Sequence, residues 1–281
     1  MKQLKELKKN HVICFCMLAV VINEVLIRIP ISILDYFGLS DRSTNSGYLL
    51  LKLISLAGAV FMLYLTGQEH VLKYSYKDFA KSILSGMVFL ILAITGCSVF
   101  AAEGTKAGVT YRSIPDIMAF VAFVITVGLA EEFLFRGIIA DCILERFGSS
   151  KTGVFVSVIL SGGIFGVMHL LNVFYGRQSL ESSFIQMIAA GMLGILLSAI
   201  YIRHKSVYGV AFLHAVLNFM TMFTRGVWEG NTLLYQSEDI NFGASLKQSL
   251  ISQSIYIIVA LFVLRPSVVR KIIEARSRKL V

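Results

Sequence analysis

Apolar runs long enough to cross a bilayer recur along the chain, with short polar loops between them. A helix needs about 20 apolar residues to span the hydrocarbon core. The pattern therefore predicts an all-α polytopic membrane protein with about eight transmembrane helices, forming one membrane domain over residues 1–281. The predicted spans are His11–Leu34, Leu49–Thr66, Ser82–Ala102, Pro115–Ala140, Gly153–Leu171, Phe184–Ile202, Val207–Phe223 and Leu246–Leu264.

Composition and charge fit this pattern. Hydrophobic residues make up 56% of the chain and charged residues 15%, against about 25% charged in soluble proteins. The net charge is +9. When the N-terminus and every second loop are assigned to the cytoplasm, most Lys and Arg residues fall on that side. The outer loops hold only Arg42, Lys106, Arg112, Arg177 and Arg225.

This bias predicts an integral membrane protein with both termini cytoplasmic, in the cell membrane if the source is bacterial. The basic residues fit an inner membrane surface, so the bilayer is an expected partner and nucleic acid is not. The basic tail, residues 265–281, is either an amphipathic helix on the inner leaflet or a solvated tail. Within the spans, Glu24 and Arg28 are spaced for a structural ion pair, and Lys52 lies near a span edge with no assigned role.

The fourth span carries charges that an ordinary apolar span would not hold. It contains the sequence AEEFLFR, which places Glu131 and Glu132 side by side and Arg136 one helical turn further on. A charged side chain at the centre of a membrane helix costs about 2.5–3.5 kcal/mol on insertion scales. Two adjacent carboxylates also repel each other. Groups elsewhere in the chain must therefore compensate them.

Two later spans contain polar groups that could do so. The fifth contains Phe165 and His169, and the seventh contains His214 and Asn218. In each pair the spacing is four residues, so both members share a helical face. Taken singly, each residue has a structural explanation. The histidines and Asn218 could form hydrogen bonds between helices. Glu132 and Arg136 could form a structural ion pair, and Phe165 could serve packing. Together they could form a general base in a dry pocket. Gly162 and Gly163 would permit a bend before His169.

The three sequences EEFLFR, FGVMH and HAVLN match the motifs E-E-x-x-x-R, F-x-x-x-H and H-x-x-x-N, in that order. The chain thereby resembles the CAAX-processing and bacteriocin-processing (CPBP, or Abi) intramembrane proteases, which include Rce1-type prenyl-protein endopeptidases. The resemblance covers residues 115–223, which would form the catalytic core in spans four to seven.

The resemblance implies a role for each motif residue. Glu131 and His169 would activate a water molecule that attacks a peptide carbonyl. His214 and Asn218 would support the site by donating hydrogen bonds to the developing oxyanion. Arg136 would keep Glu132 ionised. The family is usually described as metalloproteases, but H-E-x-x-H is lacking. A Zn²⁺ site formed by Glu131, His169 and His214 and a metal-free glutamate-type site therefore both remain open.

The expected function is intramembrane hydrolysis of a peptide bond in a membrane-associated peptide. Two alternatives are a catalytically silent scaffold or bacteriocin-immunity regulator with the same fold, and a small proton-coupled transporter. The chain lacks the matching hydrophobic halves that would favour a transporter. Prenylated CAAX proteins, peptide pheromones, bacteriocin leaders and surface-protein anchor signals all suit the resemblance as substrates.

Overall fold

The structure is a computed structural model that describes residues 2–231, 233 and 240–280. Its elements are helical apart from an isolated bridge between Tyr111 and Trp228. The helices are, in chain order, α1 (Lys2–Asn10), α2 (Val12–Tyr36), α3 (Asn45–Thr66), a 3-10 helix (Glu69–Leu72), α4 (Tyr76–Ser85), α5 (Met87–Ala107), α6 (Ile114–Glu132), a π-helical stretch (Phe133–Ala140), α7 (Asp141–Phe147), α8 (Lys151–Met168), α9 (Leu171–Phe174), α10 (Leu180–His204), α11 (Val207–Thr221), α12 (Phe223–Val227), α13 (Phe242–Val263) and α14 (Pro266–Leu280).

The all-α polytopic fold that the sequence predicts is confirmed. Among the described residues, seven helical segments are long and apolar enough to cross a membrane, and each corresponds to a predicted span. The eighth predicted span, Val207–Phe223, is the apolar helix α11, which has 15 residues. At about 1.5 Å per residue, α11 is roughly 22 Å long, short of the roughly 30 Å hydrocarbon core.

Serine residues fix where the helices with the sequence motifs begin. Ser113 caps α6, Ser150 caps α8 and Ser206 caps α11, and each hydroxyl accepts a backbone N–H three residues further on. Such caps satisfy backbone donors that the first helical turn leaves without partners. The polar residues that separate the apolar runs therefore also set the helix starts.

Contacts between helices divide the chain into two compact units. Unit A comprises Met17–Leu134 and Ser206–Leu234. In it, α6 packs against both α3 and α11. A Cβ atom added at Gly128 of α6 would lie 2.5 Å from the Ala211 carbonyl oxygen of α11. The glycine therefore lets these two helix backbones approach closely, one turn before Glu132. The predicted ion pair of Glu24 and Arg28 is confirmed, with 3.4 Å between Oε2 and Nε.

Unit B comprises Met1–Cys16, Phe135–Lys205 and Tyr235–Val281. Helix α8 runs without interruption and packs closely against α10. Cβ atoms added at Gly162 and Gly166 would lie 2.6 Å from the Ile195 nitrogen and 2.5 Å from the Met187 carbonyl oxygen. Gly162 therefore serves close helix packing, where the sequence suggested a bend.

The predicted tail is helical in its described part. Helix α14 covers residues 266–280 and contacts α8, with Val269 buried; residue 281 lies outside the described residues. Near the other end of the chain, Lys8 of α1 forms an ion pair with Glu145, 2.7 Å from Nζ to Oε2. The backbone carbonyl of Glu145 also accepts a hydrogen bond from Arg276 Nη2, at 2.7 Å. Glu145 therefore contacts segments from both ends of the chain.

Candidate active site

The paired glutamates lie at the end of α6, where the α-helix gives way to a π-helical stretch. Glu132 is the last α-helical residue, and the π-helical stretch begins at Phe133. Short π-helical segments inside α-helices often occur at functional sites. The two carboxylates differ in environment, since Glu132 is fully buried whereas the Glu131 side chain is 27% exposed. Glu131 is thus the more accessible of the two carboxylates.

His214 of α11 contacts both carboxylates. Its Nδ1 lies 2.8 Å from Glu132 Oε1, so Nδ1–H donates to that oxygen. Its Nε2 lies 3.9 Å from Glu131 Oε2. The imidazole is itself buried, with 3% of the residue exposed. The hydrogen bond on Nδ1 sets the ring orientation and directs Nε2 towards Glu131.

Lys52 of α3 is a member of this cluster that the sequence analysis missed. Its Nζ lies 3.4 Å from Glu131 Oε1, and its side chain is 31% exposed. Glu131 is therefore bordered on one carboxylate oxygen by an ammonium group and on the other by an imidazole nitrogen. The only signal in the sequence was a lysine inside an apolar run, which is usually explained by snorkelling to the membrane interface.

Asn218 lies one helical turn beyond His214 on α11 and is half-buried. The four-residue spacing puts both side chains on the same face of the helix. The structure thus brings Glu131, Glu132 and His214 together in unit A, with Asn218 next along the His214 face. The role of Asn218 at the oxyanion stays a prediction.

Arg136, Phe165 and His169 belong to unit B. Arg136 is fully buried and donates from Nη2 to the Gly194 carbonyl oxygen at 3.0 Å. Its guanidinium carbon lies 4.7 Å from the centroid of the Phe165 ring. This cation–π contact and hydrogen bond give the arginine a structural role between α8 and α10. That Arg136 keeps Glu132 ionised stays a prediction.

His169 is the C-cap residue of α8 and is half-buried. Its Nδ1 lies 3.0 Å from the Phe165 carbonyl oxygen, which accepts a hydrogen bond from it. The two rings meet edge to face, with centroids 5.0 Å apart. The aromatic residue of F-x-x-x-H thus contacts both Arg136 and His169. The hydrogen bond on Nδ1 sets the orientation of the ring.

The sequence left a zinc site open. The described residues contain no group of three or more His, Cys, Asp or Glu side chains that could hold a metal ion. In unit A, Nδ1 of His214 is bonded to Glu132, and Glu131 Oε1 is faced by the Lys52 ammonium. A neighbouring cation disfavours metal binding at a carboxylate. The donors of unit A do not fit a zinc ion by themselves.

These observations define an integral membrane protein that holds two carboxylates, a histidine and a lysine inside a helical unit. Residues 113–220 match the family model described as type II CAAX prenyl endopeptidase Rce1-like. The match supports a CPBP-family intramembrane protease and confirms the recognition based on the three motifs. No curated protein and no solved structure matches the chain.

The matched family consists of CAAX-type endopeptidases, so the match over residues 113–220 supports peptidase activity at the level of that family. A protease embedded in this way sits in the lipid bilayer and acts on a membrane-associated substrate. The seven long apolar helices agree with that location.

Proposed function

We propose that this protein hydrolyses a peptide bond of a membrane-associated peptide, by a metal-free mechanism in which Glu131 activates the attacking water. The observation that carries the proposal is the position of His214, which contacts the carboxylates of both glutamates. A scaffold would not need a buried imidazole and two carboxylates in contact, because such groups cost free energy in a membrane interior.

Glu131 is the general base in this mechanism. It is the more exposed of the two glutamates and can therefore receive a water molecule. Glu131 takes a proton from the water while the water oxygen bonds to the peptide carbonyl carbon. Glu131 then returns the proton to the leaving nitrogen as the carbon–nitrogen bond breaks. By the family resemblance, His169 assists Glu131 in activating the water.

Glu132 and His214 support the oxyanion. Glu132 accepts from Nδ1–H of His214 and so holds the ring in place. As an imidazolium, His214 also donates from Nε2 to the carbonyl oxygen as negative charge develops there, and Asn218 is a second donor on the same helical face. Donors fixed in a dry site stabilise such charge more than water does. Glu132 thereby acts through His214 and needs no contact with substrate.

The substrate is a peptide held at the membrane, and the family match favours a prenylated CAAX protein. A peptide pheromone precursor and a bacteriocin leader peptide are the further candidates. We also propose, from the distribution of Lys and Arg, that both termini lie in the cytoplasm.

The test is cleavage by purified protein in liposomes, followed by mass spectrometry of the products. Three peptides are compared: a farnesylated CAAX peptide, a pheromone precursor and a bacteriocin leader. We expect one class to be cleaved by wild type, with and without a zinc chelator, and by neither Glu131→Ala nor His169→Ala. Cleavage that a chelator abolishes and zinc restores would overturn the metal-free mechanism. Proton flux lost in Glu131→Ala, without any cleavage by wild type, would favour the transporter.

A further inference from the structure

Lys52 stands apart from the motif residues because no motif predicts it. It extends from α3 towards the end of α6, where Nζ comes within 3.4 Å of Glu131 Oε1. Both side chains are about one-third exposed, at 31% and 27%, whereas the His214 side chain is 4% and the Glu132 side chain 0% exposed. The contact between Lys52 and Glu131 is therefore on the more open side of the cluster.

A charged lysine at this position in a membrane helix carries a free-energy cost. Its neighbours in α3, from Tyr48 to Leu53, are otherwise apolar. An apolar side chain of similar length could pack α3 against α6 without the cost of a charge, and replacing an ion pair in this way is often neutral or stabilising. Packing alone therefore does not account for Lys52.

The geometry suggests what Lys52 does. A tight charge-assisted hydrogen bond is about 2.7–2.9 Å long, so 3.4 Å is a looser contact that attracts the carboxylate without enclosing it. Oε1 of Glu131 faces Lys52, and Oε2 faces His214 Nε2 at 3.9 Å. A carboxylate bordered in this way has one preferred rotation, with Oε2 on the His214 side.

We propose that Lys52 is a positioning residue for the reaction: it fixes the rotation of the Glu131 carboxylate so that Oε2 meets the attacking water beside His214. The inference rests on the proposed function. It gives span two a part in the active site, outside the segment that matches the family model. A misplacement of about 1 Å can cost about 100-fold in rate, so losing this contact affects turnover more than substrate affinity.

The test compares Lys52→Met, Lys52→Arg and Lys247→Met in liposomes. Lys52→Met removes the charge and keeps the length, Lys52→Arg keeps the charge, and Lys247 is an exposed lysine of α13 that serves as control. We expect Lys52→Met to lower kcat by about 10- to 100-fold with KM nearly unchanged. Lys52→Arg should keep at least a tenth of the wild-type kcat, and Lys247→Met should match wild type. An unchanged kcat in Lys52→Met, or a change confined to KM, would overturn the inference.

A second measurement does not depend on activity. Unfolding temperatures are measured for Lys52→Met, Glu131→Gln and the double variant. If Lys52 holds Glu131, the effects of the single changes are not additive; additive effects would overturn the contact itself. Wild type that cleaves none of the three peptides would overturn the proposed function, whereas wild type that cleaves alongside an equally active Lys52→Met would overturn only the role of Lys52.

Discussion

His214 Nδ1 and Glu132 Oε1 lie 2.8 Å apart, although 82 residues separate them in the chain. The contact joins the first and third sequence motifs inside one unit of the fold. Both residues are buried, at 3% and 0% exposure. Removing one member of a buried pair leaves its partner uncompensated, so the pair should behave as one functional element.

The first prediction concerns this pair. Because Glu132 acts through His214, Glu132→Ala and His214→Ala should each lower kcat by about 100- to 1000-fold, the usual cost of losing an oxyanion donor. The double variant should be little worse than either single variant. The measurement is kcat and KM on a cleaved peptide, with Glu103→Ala, a change at an exposed glutamate of α5, as control. Losses that multiply in the double variant would contradict the shared role.

The second prediction concerns the close approach of α6 and α11. An added Cβ at Gly128 would lie 2.5 Å from the Ala211 carbonyl oxygen, so α11 must move away. We expect Gly128→Ala to cost about 1–3 kcal/mol of unfolding free energy, as overpacking usually does, and to reduce cleavage by separating His214 from the glutamates. Thermal unfolding in detergent and cleavage rate are the measurements.

The control for Gly128→Ala is Gly163→Ala. Gly163 is also helical, but an added Cβ there meets nothing within 4 Å. It should therefore leave cleavage unchanged and should not lower the unfolding temperature, since alanine favours a helix more than glycine does. If the two variants behave alike, close packing at Gly128 is not what brings His214 to the glutamates.

The third prediction concerns the buried arginine. Lysine at position 136 would keep the charge, but a compact ammonium cannot both donate to the Gly194 carbonyl and lie flat against Phe165. Arg136→Lys should therefore lower the unfolding free energy by about 1.5–3 kcal/mol, the value of a hydrogen bond to a charged group. Arg270→Lys, at an exposed position of α14, is the matched control. An Arg136→Lys variant as stable as wild type would refute this role.

The fourth prediction concerns topology. Both termini can lie on the proposed cytoplasmic side only if the number of spans is even, and this requires α11 to cross the membrane despite its 15 residues. Fusions of a fluorescent protein that folds only in the cytoplasm should fluoresce at both ends of the chain. A dark C-terminal fusion beside a bright N-terminal one would mean an odd number of crossings. The short helix α11 would then be the one that does not cross.

Much of the fold could be predicted from hydrophobic runs. A membrane-spanning helix needs about 20 consecutive apolar residues, and runs of that length rarely have another explanation. Seven predicted spans appear with shifted ends, since caps such as Ser113 and Ser206 fix the starts more sharply than hydropathy does. The length of α11 was overestimated because hydropathy continues beyond Thr221, where the helix ends.

The site could be predicted less completely. The motif spacing put His214 and Asn218 on one face, but spacing within a helix does not say which carboxylate an imidazole on another helix will contact. Lys52 was missed for a related reason. A single lysine in an apolar run carries no pattern, and its contact with Glu131 depends on how α3 packs against α6. Tertiary packing, not local sequence, decides both contacts.

The most direct test of Glu131 as the general base is the cleavage rate of Glu131→Gln beside wild type and Glu24→Gln. Glutamine keeps the size of Glu131 but cannot take a proton from water, while Glu24 is a span glutamate paired with Arg28. A general-base role for Glu131 predicts that Glu131→Gln loses cleavage by at least about 100-fold while the variant still folds and unfolds cooperatively, and that Glu24→Gln is fully active. Cleavage by Glu131→Gln at the wild-type rate would show that Glu131 is not the general base.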